Sequence, residues 1–130
     1  MNHNLKNKKI LIVDDDDINQ MVLSGMLKKK GYQYDTASNG YEALEKINQT
    51  EFAVIIMDCL MPELNGFEAT RRIRKMEQTG ELNYFTPIIA VTAKTKKVDI
   101  ERCLKAGMDD FIGKPVQIET LVAIIQKHIS

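Results

Sequence analysis

A doubly wound α/β sandwich, five parallel strands each followed by a helix, is the fold class this sequence predicts. Three observations predict it. Short apolar runs alternate five times with segments of helical period, the pattern of βαβ units around one sheet. Two of those runs, Phe52 to Met57 and Ile88 to Val91, are apolar throughout, as parallel strands covered on both faces must be. Polar groups stand at the ends of the runs: Asp14 to Asp17, Asp58, Thr92 and Lys114-Pro115.

The first strand is expected from about Lys9 to Val13 and the first helix from about Ile18 to Lys30. The stripe Ile18, Met21, Val22, Gly25, Met26 has helical spacing and is expected to face the core. Lys28 to Lys30 complement the helix dipole at its C-terminal end, and Gly31 supplies the stop. A second strand near Gln33 to Ala37 mixes polar and apolar residues, which suits a sheet edge; a helix from about Asn39 turns Ala43, Leu44 and Ile47 inward. After the third strand come a Pro62/Asn65-Gly66 turn, a helix from about Phe67 to Met76, and the longest expected loop, Glu77 to Thr86. The fourth strand leads to a helix from about Thr95 to Ala106. A short strand, Asp110 to Ile112, and a helix from about Val116 to Ile129 complete the chain, with Leu121, Ile124, Ile125 and His128 as the inner stripe. Right-handed crossovers with a polar second strand and a short fifth strand favour the order 2-1-3-4-5, the flavodoxin-like arrangement.

At 130 residues the chain fits one domain, with a core over about residues 8–129 and a polar tail at 1–7. Basic and acidic residues balance at 18 each, so no global charge draws it to nucleic acid or an anionic membrane. Its longest apolar run is far short of the roughly 20 residues that span a bilayer, and the first nine residues are polar rather than signal-like. A cytoplasmic chain without membrane insertion is therefore expected. Cys59 and Cys103 form no CxxC pair and read as buried free thiols. The basic clusters Lys28 to Lys30, Arg71-Arg72-Arg74 and Lys94-Lys96-Lys97 read as solvated helix faces, and neither His3 nor His128 reads as a phosphodonor.

In an open α/β sheet, ligands bind outside the carboxyl ends of the strands at the point where strand order reverses. Asp14, Asp15, Asp58, Thr92 and Lys114 all fall at that mouth. Converging carboxylates must take up protons or hold a hard cation, and magnesium suits all-oxygen ligands. An aspartate can act as the nucleophile in phosphoryl transfer, with an ammonium and a hydroxyl neutralising the equatorial oxygens. Asp58, Lys114 and Thr92 match those needs.

The strings ILIVDDDD, IIMDCLMPELNGFEA, PIIAVTA and AGMDDFIGKP, in that order and spacing, resemble the receiver domain of two-component response regulators, and the resemblance runs from about Lys8 to Ile129. Chemotaxis receivers of that family have the 2-1-3-4-5 order. The resemblance implies that Asp58 is the phosphoacceptor. It makes Asp15 a direct magnesium ligand, Asp14 a ligand largely through water and the backbone carbonyl of Leu60 a further ligand, with manganese able to substitute for magnesium. It implies that Thr92 bonds the phosphoryl oxygen, that Lys114 contacts Asp58 and then the phosphate, and that the bond before Pro115 is cis. Thr92 and Phe111 are then the switch residues, remodelling the face made by the fourth helix, fifth strand and fifth helix. Phe111 lacks the hydroxyl of the tyrosine common there, which leaves ring packing to do the switching. Asp16 replaces a frequent asparagine. The Asp-Ile-Asn-Gln start of the first helix, the Met61-Pro62 turn and the loop before Thr86-Pro87 most resemble receivers of hybrid sensor histidine kinases. The implied donor is a histidine kinase or a histidine phosphotransfer domain; the downstream target is not legible.

Other readings compete. Helix capping alone explains Asp16 and Asp17. A haloacid-dehalogenase-like phosphatase would use Asp14 of the Asp14/Asp16 pair as nucleophile, but Asp109-Asp110 precede Lys114 instead of following it. A flavin mononucleotide binder is disfavoured by aspartates where a phosphate needs hydroxyls and amides. An EF-hand fails because the acidic run follows a strand and Gly25 falls where the bidentate glutamate belongs. Gly107 to Lys114 has the wrong spacing for a P-loop, with Pro115 in place of Ser/Thr.

Overall fold

The computed structural model describes residues 8–61 and 63–129; His3, the rest of the 1–7 tail and Pro62 of the expected turns lie outside them. Ten elements alternate strand and helix: β1 (Ile10–Val13), α1 (Asp17–Lys29), β2 (Tyr34–Ala37), α2 (Gly40–Gln49), β3 (Val54–Asp58), α3 (Gly66–Thr79), β4 (Ile88–Thr92), α4 (Lys97–Ala106), β5 (Asp110–Gly113) and α5 (Ile118–Ile129). The strands form one parallel sheet in the order β2-β1-β3-β4-β5, as the sequence predicts.

Successive side chains of a strand point to opposite faces, so each central strand feeds two cores. On one face Leu11, Val13, Ile55, Met57, Ile88 and Ala90 pack against α2, α3 and α4. On the other, Ile12, Val54, Ile56, Ile89, Val91 and Ile112 pack against α1 and α5. Full burial of such a side chain stabilises by about 1.5–3 kcal/mol. The edge strand β2 is half-buried and polar, and Asp35 on it pairs with Lys46 of α2 at 3.1 Å. At the other edge, Asp110 on β5 meets Lys127 and His128 of α5 at 3.3 and 3.0 Å. His128 thus faces inward, as its place on the α5 stripe predicts.

Helix α1 departs from expectation in its rotation. Ile18, Met21 and Val22 are 66%, 65% and 49% exposed, and Leu23 and Leu27 are the residues it buries. The helix carries apolar residues on two faces, and periodicity alone does not choose between them. Gln20 chooses: its amide donates to the carbonyls of Asp14 and Ala37, turning Leu23 and Leu27 onto the sheet. Helix α3 runs to Thr79, past the expected Met76, and stops at Gly80, whose φ of 83° suits a residue without Cβ. The connection that follows is anchored by buried Leu82 and by Tyr84, whose hydroxyl donates to Ile47 O at 2.6 Å.

Arg74 is not on a solvated face. Its guanidinium donates to Gly107 O (2.8 Å), Thr86 O (3.0 Å), Glu77 (3.0 Å) and Asp109 (2.6 Å), and it lies over the Phe85 ring. This clamp joins α3 to the loops on either side of β4 and α4. A planar fork with several donors can serve these acceptors together, which an ammonium cannot. No helix among the described residues is long and apolar enough to cross a membrane.

Candidate functional site

Strand register builds the site. Val13 pairs with Met57, so the next residues along, Asp14 and Asp58, are neighbours at the carboxyl ends of β1 and β3. Asp58 pairs with Val91, so Thr92 lies one step beyond it; Thr92 pairs with Gly113, and Lys114 follows, its amide bonded to Thr92 O. All five residues expected at the mouth are brought together there.

One carboxylate oxygen from each of Asp14, Asp15 and Asp58 lies within 4.8 Å of the others, with Asp14 and Asp58 buried and Asp15 exposed. Burial pushes the Asp58 carboxyl above the usual aspartate value, and the charge of Asp14 pushes it further; Lys114 and the Leu60 amide oppose them. Asp14 is likewise raised, chiefly by burial, against the Asp16 amide and Lys114. Lys114 Nζ reaches Asp58 Oδ1 at 3.4 Å, and the Lys114-Pro115 bond is cis, as the resemblance implies. Negative charge in the cluster is therefore undercompensated by the protein alone. Three carboxylates converging at the carboxyl ends of β1 and β3 fit a hard divalent cation.

Asp16 takes no part in the cluster by its side chain: its carboxylate caps α1, accepting from the amides of Ile18 (2.8 Å) and Asn19 (3.3 Å). The Asp-x-Asp pair of a dehalogenase-like phosphatase is thus divided, Asp14 facing the mouth and Asp16 holding a helix. The Thr92 hydroxyl is engaged with the backbone of Lys94, accepting from its amide at 2.9 Å, and is not bonded to Asp58. Phe111 is half-buried against the core on the α2–α3–α4 face. Leu60, two residues after Asp58 in the loop, is 59% exposed.

Two contributors escaped the sequence reading. Gly66 opens α3 directly beneath the site, where an added Cβ would stand 2.3 Å from Asp58 O; the Asn65-Gly66 dipeptide marks the turn but not this approach. The other is a cleft of about 430 Å3 beside the carboxylates, lined by Asp14, Asn19, Val22, Lys114, Pro115 and Val116. Exposed Ile18 and Met21 lie on the same helix as its α1 wall. Behind Asp58, Cys59 and Cys103 are buried and free, with their sulfurs 3.8 Å apart. Burial first, then the proximity of Cys103 and Asp58, push the Cys59 thiol well above its ordinary value.

Comparison with known proteins agrees with this geometry. The family model described as the response regulator receiver domain matches residues 10–126. "Hybrid signal transduction histidine kinase B" of Dictyostelium discoideum is 38% identical over 96% of this chain but only 7% of its own length. "Histidine kinase 5" of Arabidopsis thaliana is 38% identical over 93% of the chain and 16% of its own. The chain thus spans a small fraction of these curated relatives. Among solved structures, the receiver domain of a Pseudomonas aeruginosa sensor histidine kinase, with magnesium coordinated in its active-site cleft, is 38% identical, with a TM-score of 0.82 over 94% of this chain and 97% of that one. A Saccharomyces cerevisiae receiver domain, crystallised with the histidine phosphotransfer protein upstream of it, is 32% identical, with a TM-score of 0.87 over 95% and 90%. None of these relatives supports the phosphatase alternative. Strand order, a carboxylate mouth facing a lysine after β5, and a family match over nearly every described element lead to one conclusion: the chain belongs to the response regulator receiver domain family.

Proposed function

We propose that this chain is the phosphoacceptor module of a two-component phosphorelay, working as one domain over about residues 8–129 in the cytoplasm. The observation that carries the proposal is the convergence of Asp14, Asp15 and Asp58 within 4.8 Å, with Lys114 3.4 Å from Asp58. Asp58 is the nucleophile: its carboxylate oxygen attacks phosphorus in line, and the bond from phosphorus to the donor imidazole nitrogen breaks. An acyl phosphate on Asp58 and a neutral histidine on the donor result.

Asp14, Asp15, Asp58 and the Leu60 carbonyl would hold magnesium, with manganese as a substitute; the bound ion supplies charge neutralisation for the phosphoryl oxygens. Lys114 shifts from Asp58 to the new phosphoryl group. Thr92 releases the Lys94 backbone and donates to a phosphoryl oxygen, and Phe111 repacks into the space it leaves, altering the α4–β5–α5 face. The chain turns over no separate substrate; it catalyses its own phosphorylation and the slow hydrolysis that resets it.

The donor is a histidine kinase or a histidine phosphotransfer domain. The yeast relative bound to its phosphotransfer protein supports this, as does exposed Val22 of α1, which lines the cleft with Asp14 and offers a partner helix a footing there.

Incubation with magnesium and acetyl phosphate, followed by mass spectrometric mapping, tests the reading. One phosphoryl group on Asp58, absent in Asp58→Asn and absent when magnesium is chelated, is the expected result. Label on Asp14, or unchanged uptake by Asp58→Asn, overturns it.

A further inference from the structure

Cys59 and Cys103 are 44 residues apart in sequence, yet their sulfurs sit 3.8 Å apart. Phosphoryl chemistry uses neither. They belong to different parts of the molecule: Cys59 directly follows Asp58 on the β3–α3 loop, and Cys103 sits within α4. A small cavity of about 30 Å3 touches both sulfur-bearing residues and is walled by Leu60, Lys94, Asp99 and Arg102, all of which reach the surface.

We propose that Cys59 and Cys103 form a reversible disulfide when a peroxide reaches them, fastening the phosphoacceptor loop to α4. One thiol sulfur attacks a peroxide oxygen, the O–O bond breaks, and a sulfenic acid and water form. The second thiol sulfur then attacks that sulfur and displaces its hydroxyl, which leaves as water with the second thiol's proton. Two thiols and one hydrogen peroxide become one disulfide and two waters. A dithiol reductant reverses the bond by exchange.

The geometry favours closure within one molecule. Bringing the sulfurs from 3.8 Å to a bond length of about 2.05 Å requires about 1.8 Å of approach. A bridge would restrain α4 against the loop that follows β3. That helix follows the Thr92–Lys94 segment, so the oxidised form should switch poorly on phosphorylation. This consequence rests on the proposed phosphoacceptor role, whereas the disulfide itself does not.

The test treats the native protein with hydrogen peroxide, quenches it, unfolds it and adds N-ethylmaleimide before mass spectrometry. Expected is loss of both maleimide additions, a chain lighter by two hydrogens, and a bridged peptide joining positions 59 and 103; dithiothreitol restores both additions. Cys103→Ser and Cys103→Ala should each yield no bridge. Retention of two maleimide additions, sulfurs oxidised separately to sulfinic acids, or a disulfide between two chains each overturns the proposal. Phosphorylation of the bridged and reduced forms is compared separately: a bridge that leaves the phosphorylation-dependent spectral shift unchanged refutes the restraint on α4 but not the bridge.

Discussion

Lys114 stops 3.4 Å from the nearer Asp58 oxygen, longer than the usual charge-assisted hydrogen bond. The ammonium is thus near enough to offset some of the buried charge, and far enough to follow a group added to Asp58. Its side chain is about one-third exposed. Lys114→Ala is expected to fold, changing stability by less than about 1 kcal/mol, and still to accept a phosphoryl group. Its amide NMR spectrum should not shift on phosphorylation as the wild type's does; an equal shift would remove Lys114 from the coupling.

Removing the negative charge at 58 should stabilise the metal-free protein. Asp58 is buried beside Asp14, and both are raised. Asp58→Asn keeps the shape without the repulsion, for a gain on the order of 1 kcal/mol at neutral pH. Urea unfolding in a chelator measures it, and a loss of stability would mean that Lys114 already compensates the cluster.

Acidity should reveal two groups of aspartates with opposite slopes. Asp14 and Asp58 keep their protons to higher pH in the folded protein than in the unfolded chain, so their stabilising contribution is full below pH 3.8 and is lost as pH rises through the folded values. Burial raises Asp35 and Asp110 too, but hydrogen bonds from Lys46 and from His128 and Lys127 outweigh it and leave both lowered. Their contribution is present above pH 3.8 and is lost as pH falls through their folded values. Stability in chelator should therefore decline as pH rises above 3.8, and Asp58→Asn should flatten that decline.

Two glycines should respond to alanine with opposite signs. Gly66→Ala drives a Cβ to 2.3 Å from Asp58 O and is expected to cost about 1–3 kcal/mol and to slow uptake of label at Asp58. Gly25 sits within α1 with nothing within 4 Å of an added Cβ, so Gly25→Ala should stabilise by about 0.5–1 kcal/mol. Denaturant midpoints of the pair decide both.

Arg74→Lys should destabilise by about 2–4 kcal/mol, because one ammonium cannot replace the fork that serves Thr86 O, Gly107 O, Glu77 and Asp109. A thermal midpoint near wild type would show the clamp to be dispensable.

The site was legible in the sequence because parallel register does most of the work: polar residues at the ends of apolar runs come to one edge whatever the helices do. Asp14, Asp58, Thr92 and Lys114 needed only their strands. Rotation of α1 was not legible, because Ile18, Met21 and Val22 compete with Leu23 and Leu27 for the sheet, and the deciding contact is a polar one from Gln20 to Ala37, 17 residues away. Arg74 misled for a similar reason. Beside Arg71 and Arg72 it reads as surface charge, and its acceptors come from loops that fold up beside it. Contact between Cys59 and Cys103 is a product of tertiary packing, with no local signature.

The two borders of the sheet repeat one device: an aspartate on the outermost strand, Asp35 or Asp110, tied by a lysine from the helix that follows. An unpaired strand border is a template for a stranger's strand, and a charged one discourages it. Such a sheet resists growth from either side. Linked within a long polypeptide or crowded among copies of itself, it can meet partners through loops and helices without trading strands.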